Sequence, residues 1–193
     1  TQTWPVAGAD TVQGGFAHKL GDRVCVGSNV ALTNSANVQG VQYWHQYAGT
    51  AIPTTGGSTS ATFRYNQPGK FLIIQRGKLN GREAYACKVV EVLATPAPVF
   101  TAVSCAPGQV TLTLPENAAN SYDEYDVNWG VAGRPVQTIG RAQTPIRFTY
   151  PTTGTPYILS VRGAYQPTRC GATTAQTVTP TGLPPVPQRP DLT

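Results

Sequence analysis

Tyr85-Ala86-Cys87-Lys88-Val89-Val90-Glu91-Val92 decides how the rest of the chain is read. Its residues alternate between two sides, the period of a β-strand. A cysteine sits near its start, and it runs into Leu93-Ala94-Thr95-Pro96-Ala97-Pro98. A strand that ends in a proline-stiffened connector closes one β domain and hands over to a second. Residues 1–94 then form one sandwich, residues 95–182 another, and 183–193 a Pro-rich linker.

Composition points the same way. The 193 residues suit two domains of roughly 90–100 residues. Only 12% are charged, while Gly and Pro number 20 and 17. Such a mix starves long helices of their usual formers and favours short strands joined by turns. The expected fold class is all-β: two tandem Ig-like β-sandwich domains, each with one intradomain disulfide. No run of 18 apolar residues occurs, so no membrane-spanning helix is expected. With Thr at position 1 and no Met, a processed or excised piece is expected.

Cys25, Cys87, Cys105 and Cys170 include no CxxC pair, the close spacing that metal sites usually use. Three connectivities are open. One bridge per half, Cys25–Cys87 and Cys105–Cys170, is the simplest, and closing such loops would stabilise each domain by roughly 2–4 kcal/mol. The alternative is four free thiols in a reducing compartment; bridges imply an oxidising one. Residues 1–94 hold 8 basic and 4 acidic side chains (+4), and residues 95–193 hold 6 and 5 (+1). That charge is too mild for a nucleic-acid binder, whose affinity comes largely from neutralising phosphates.

In chain order, residues 1–22 read as an edge strand plus loop, carrying Trp4-Pro5. Short strands follow at 22–26 and 30–33. Val41 to Tyr47 alternates, with Val41, Tyr43, His45 and Tyr47 on one side and Trp44 on the other. Which side is core stays open. A Thr/Gly/Ser loop spans 50–61, then strands at 63–65 and 70–76. Lys78-Leu79-Asn80-Gly81 carries an Asn-Gly hairpin signal. In the second half, Val110, Leu112 and Leu114 share one face, as do Tyr125, Val127 and Trp129. Strands at 145–150, 157–163 and 175–180 complete it.

The Tyr-x-Cys of the opening stretch invites an immunoglobulin reading with Cys25, Trp44 and Cys87 as the core pin, but Trp44 falls off the apolar alternation. Tyr65-Asn66-Gln67-Pro68-Gly69-Lys70-Phe71 resembles the Tyr-x-x-Pro-Gly-x-Tyr/Phe turn of PKD-type repeats. The order of motifs from Cys25 to Val92 is similar to the variant found in large secreted surface proteins of Bacteroidetes. The resemblance implies a stalk module in a gliding-motility or type IX secretion context. That family's Trp-Asp-Phe-Gly-Asp-Gly motif would fall at 45–50, where only Tyr47 and Gly49 match, so no calcium site is implied. Residues 99–180 resemble a fibronectin type III domain, which implies a corner role for Tyr157.

Chemistry-bearing patterns are sparse. His18 and His45 are the only histidines, and no Gly-x-Ser-x-Gly, His-Glu-x-x-His or phosphate-loop motif occurs. No catalytic residue, metal or cofactor is expected, and the chain reads as a non-enzyme. Glu116, Asp123, Glu124 and Asp126 crowd together, yet match no calcium loop and read as a solvated face. Arg76, Lys78, Arg82 and Lys88 on the hairpin read either as edge protection or as a patch for acidic polysaccharide. Trp44, Trp4 and Tyr43 add a sugar-stacking possibility.

The expected function is therefore a non-catalytic structural or adhesive segment of a secreted bacterial cell-surface protein, acting as spacer or interaction module. Its partners would be other domains of a longer parent chain and a protein or glycan at the cell surface, with no nucleic acid and no membrane span. One alternative is a polysaccharide-binding accessory module using Trp44, Tyr43, Arg76, Lys78 and Arg82. A second is a fibre subunit whose residues 1–16 or 183–193 pair with a neighbour's sheet edge.

Overall fold

The computed structural model describes residues 11–18 and 21–182; Trp4 and the Pro-rich segment 183–193 lie outside the described residues. The chain divides into two compact units, Thr1–Ala94 and Thr95–Thr193. Each is a β-sandwich, and no described helix is long and apolar enough to cross a membrane.

The first unit is built on a long hairpin. Strand β7 (Gly69–Leu79) and strand β8 (Arg82–Leu93) pair antiparallel without a break, from Gly69 opposite Val92 to Leu79 opposite Arg82. Asn80 and Gly81 make the turn with φ of 54° and 79°, the paired left-handed geometry that this dipeptide tolerates. Strand β5 (Gln39–Trp44) pairs with β7 on one side. On the other side of β8 run two short parallel strands, β1 (Thr11–Gln13) and β3 (Arg23–Cys25). Between them β2 (Phe16–His18) crosses to the second sheet and pairs antiparallel with β4 (Asn29–Asn34), whose other neighbour is β6 (Thr62–Arg64). Within the segment expected as edge strand plus loop, residues 11–18 thus take part in both layers, and residues 1–10 lie outside the described residues.

Phe16, Val24, Val30, Leu32, Tyr43, Tyr65, Ile73, Val90 and Val92 fill the space between those sheets. Each large apolar side chain so buried contributes about 1.5–3 kcal/mol. Gly77 is required where β5 bulges past β7: a Cβ there would lie 2.5 Å from Val38 Cγ1 and 2.7 Å from the Gln39 carbonyl oxygen.

The expected Cys25–Cys87 bridge is not formed, because register forbids it. Cys25 stands opposite Leu93, six residues along the same strand from Cys87, about 20 Å at strand rise. A disulfide needs Cα atoms about 4.4–6.8 Å apart. Cys25 is buried and disulfide-bonded, whereas Cys87 is exposed and carries a free thiol. Cys170 is also disulfide-bonded. The side chain of Cys105 lies outside the described part of the structure.

The second unit packs a three-stranded sheet against a four-stranded one. Strands β9 (Thr101–Ala106), β10 (Gln109–Thr113) and β13 (Ile146–Thr149) form the first, with β10 central. Strands β12 (Gln137–Ile139), β11 (Glu124–Asn128), β14 (Tyr157–Tyr165) and β15 (Cys170–Val178) form the second, in that order. This three-plus-four arrangement, crossing between layers, is a fibronectin type III-like, Ig-like sandwich. The alternation of Val110, Leu112 and Leu114 and that of Tyr125, Val127 and Trp129 both point into its core.

Two side chains pin distant segments of this unit together. Tyr150 packs on Tyr157, ring centroids 4.4 Å apart, and its hydroxyl donates to the Trp129 carbonyl at 3.0 Å. Tyr157, for which a corner role is expected, meets Tyr150 through its ring. Buried Asn120 donates to the carbonyls of Val99 and Pro115 at 2.7 and 2.8 Å, and accepts from the Val99 amide at 3.0 Å.

Candidate functional site

The alternation of β5 places Tyr43 and His45 inside the first unit and Trp44 outside. Tyr43 is buried, donating through its hydroxyl to Asn34 Oδ1, and offers no face to a ligand. Trp44 sits across from Ile74 on the outer face of the hairpin sheet. It is half-buried: its Nε1 donates to the Thr55 carbonyl at 3.3 Å, and a Cβ on Gly57 would lie 2.8 Å from its ring. The backbone bridge between Tyr43 and Ser58 holds this loop against β5. The loop therefore lies over the indole that the sugar-stacking reading needs.

The basic residues divide by strand parity. Arg76 and Lys78 face outward with Glu83, which stands opposite Lys78. Arg82 and Lys88 fall on the other parity of β8, and the Lys88 ammonium lies 6.0 Å from the centroid of buried Phe16. The four cations do not converge on one surface. Arg76 is itself committed: Nε donates to Glu83 Oε2 at 3.0 Å, Nη1 to the Thr54 carbonyl at 2.5 Å, and the guanidinium lies 5.9 Å from the Tyr85 ring centroid. Beside it, the β5 bulge opens a shallow groove of about 490 Å³ edged by Gln39, Gln42, Arg76, Lys78 and Glu83.

Both histidines are core residues. The His45 ring is stacked between Tyr43 and Phe63, at centroid distances of 5.8 and 4.8 Å, and its Nε2 lies 3.0 Å from the Ser60 carbonyl. His18 packs beside Phe16, with Nδ1 at 3.1 Å from both the Gly21 carbonyl and Asp22 Oδ1. Burial lowers the pKa of each below the ordinary value of 6.5, against the raising effect of those acceptors. Phe16, Tyr43, His45, Phe63, Tyr65 and Phe71 form a continuous ladder of rings. Its last members account for the Tyr65–Phe71 turn motif. Tyr65 and Phe71 stack at 4.8 Å, and the Tyr65 hydroxyl, pushed up to about 12 by burial, donates to the His45 carbonyl at 2.7 Å.

In the acidic cluster of the second unit, Glu116 and Asp123 are exposed, while Glu124 and Asp126 are drawn into ion pairs. Asp126 accepts from Thr138 Oγ1 at 2.8 Å and pairs with Arg162 at 3.3 Å and Arg169 at 2.5 Å; Arg169 also pairs with Glu124. Glu116 pairs with Arg141 at 3.0 Å, and Asp123 accepts the Gln166 amide at 2.8 Å. These cations lie 25 to 45 residues away in sequence, beyond what local pattern reveals. No group of three or more His, Cys, Asp or Glu side chains suited to a metal ion is found among the described residues.

No family model matches the sequence, and no curated protein matches it. Among solved structures the chain is similar to the fibronectin(III)-like modules of Clostridium thermocellum CbhA, at 13% identity over 87% of this chain and 95% of that one, TM-score 0.49. It is also similar to the chicken CNTN1 FN1–FN3 domains, at 7% identity over 89% of this chain and 65% of that one, TM-score 0.45. A two-domain fibronectin type III segment of chicken tenascin has 11% identity over 80% and 93% of the two chains, TM-score 0.42. The fold assignment rests on the strand order and register of each unit.

Proposed function

We propose that the chain is a non-catalytic structural and adhesive segment of a secreted bacterial cell-surface protein, its two sandwich units serving as spacer and interaction modules of a longer polypeptide. The observation that carries this reading is the fate of its reactive groups. His18 and His45 are built into a core, and Glu116, Glu124 and Asp126 are each held by an arginine. Disulfide-bonded Cys25 and Cys170 suit an oxidising compartment. The likeness of the Tyr65–Phe71 turn to PKD-type repeats supports a bacterial surface setting.

The test pairs a turnover panel with a binding screen. Purified chain incubated with chromogenic ester, glycoside, phosphate and peptide substrates gives no turnover above buffer, and it adheres to intact cells or to a surface protein or glycan fraction. Turnover that disappears in a His18→Ala or His45→Ala variant of unchanged fold overturns the reading.

A second reading, an accessory module for acidic polysaccharide, draws on the groove beside Arg76 and Lys78 and no longer on Tyr43. Affinity electrophoresis in a polyuronate gel tests it: retardation lost in Lys78→Ala supports it, and unretarded wild type removes it.

A further inference from the structure

Strand β15 is an edge left open. Its nine residues pair with β14 in unbroken register from Tyr165–Cys170 to Tyr157–Val178, and it is the last strand of its sheet. Along Gly171–Val178 no backbone bond to a further strand occurs among the described residues. Thr174 Oγ1 donates to the Pro98 carbonyl at 2.6 Å, but Pro96 and Pro98 have no N–H and add no strand there.

Sheet edges are normally guarded by charge, proline, a bulge or shortness. Other edges among the described residues carry such guards, and the uncharged edge strand β9 is interrupted by a register shift against β10. β12 has three residues, β13 has four with Arg147 among them and Pro145 before it, and β5 is capped at Tyr43 by Ser58. Gly171-Ala-Thr-Thr-Ala-Gln-Thr-Val178 has no charge, no proline and no register shift. The surroundings of its C-terminal half are apolar, while Arg162, opposite Thr173, is paired with Asp126. Ile158, opposite Thr177, is 66% exposed, and Val99 and Val103 are 48% and 53% exposed on the segment that contacts this edge through Pro98–Thr174 and Ser104–Thr181.

We propose that β15 is a self-association edge: two copies of the chain pair β15 to β15, antiparallel across a two-fold axis, joining their four-stranded sheets. The second copy is the fitting occupant because the strand is self-complementary. It carries no charge to repel its own image, its exposed side chains Thr173, Ala175 and Thr177 are small, and an antiparallel pair of one segment closes as an isologous dimer.

Sedimentation velocity of the full chain from micromolar to millimolar concentration tests this. Wild type shifts from monomer to dimer. Ala175→Lys weakens the dimer roughly tenfold, from like charges brought together across the new strand pair, while Thr152→Lys in an exposed loop changes nothing. A mixture of Ala175→Lys and Ala175→Glu dimerises better than either alone. Unchanged far-ultraviolet circular dichroism shows that each variant is folded. Wild type that stays monomeric throughout, or a dimer indifferent to Ala175→Lys, overturns the proposal. So does loss of the dimer on removing residues 183–193, which assigns the edge to that segment instead.

Discussion

The imidazole of His45 lies flat on the ring of Phe63, centroids 4.8 Å apart and planes 10° apart, and Tyr43 closes the other side. One nitrogen meets the Ser60 carbonyl, while Nδ1 is buried without a hydrogen-bond partner. His18 repeats the pattern, with Nε2 buried and unpartnered. A proton added at either nitrogen would be a charge placed among aromatic rings.

Stability of the first unit should therefore fall in mild acid. For both histidines the folded pKa lies below the unfolded 6.5, so the unfolded state takes up the proton first. The stabilisation is fully present above pH 6.5 and is lost as pH drops below it, at a limiting slope of about 1.4 kcal/mol per pH unit for each histidine. Facing His18, Asp22 favours its proton and Lys88 opposes it. Urea midpoints between neutral and mildly acid pH check this, and His45→Phe reduces the slope.

Tyr65→Phe should cost roughly 1–2 kcal/mol, since it leaves the buried His45 carbonyl without the Tyr65 hydroxyl while keeping the ring stack on Phe71. Chemical denaturation measures it; no loss would mean that the hydroxyl bond adds nothing to the turn.

Asn120→Ala should cost about 2–4 kcal/mol, because one buried amide serves two carbonyls and one N–H of the backbone. Calorimetry is expected to show the loss in the transition of the second unit.

Cysteine chemistry separates cleanly. Native chain treated with iodoacetamide is alkylated at Cys87, and non-reducing peptide maps recover Cys25 and Cys170 in disulfide-linked peptides. Cys87→Ser changes stability by less than about 0.5 kcal/mol, whereas Cys25→Ser costs roughly 2–4 kcal/mol.

What the sequence disclosed followed from local pattern. Asn80-Gly81 located the hairpin, and period-2 runs such as Val110-Leu112-Leu114 located strands and their inner faces. Residues 16–18 were opaque because a three-residue strand is too short to show a period, and its change of sheet is set by pairing with β4. The sidedness of β5 was undecided because both of its faces carry aromatic residues; packing on Phe16 and Phe63 settles it. The Cys25–Cys87 expectation failed because spacing in sequence says nothing of register, and here β3 meets β8 at Leu93. Of the acidic cluster, Glu116 and Asp123 are exposed as a solvated face requires, whereas the pairing of Glu124 and Asp126 was hidden because Arg162 and Arg169 reach them only across the folded sheet.

The claim that both histidines are structural, on which the non-catalytic reading stands, is tested most directly by titrating their imidazoles with long-range proton–nitrogen NMR. Two neutral rings are expected, each protonated at the nitrogen facing its backbone carbonyl, with pKa values below 6.5. A histidine that titrates at the ordinary value in rapid exchange with solvent would contradict it.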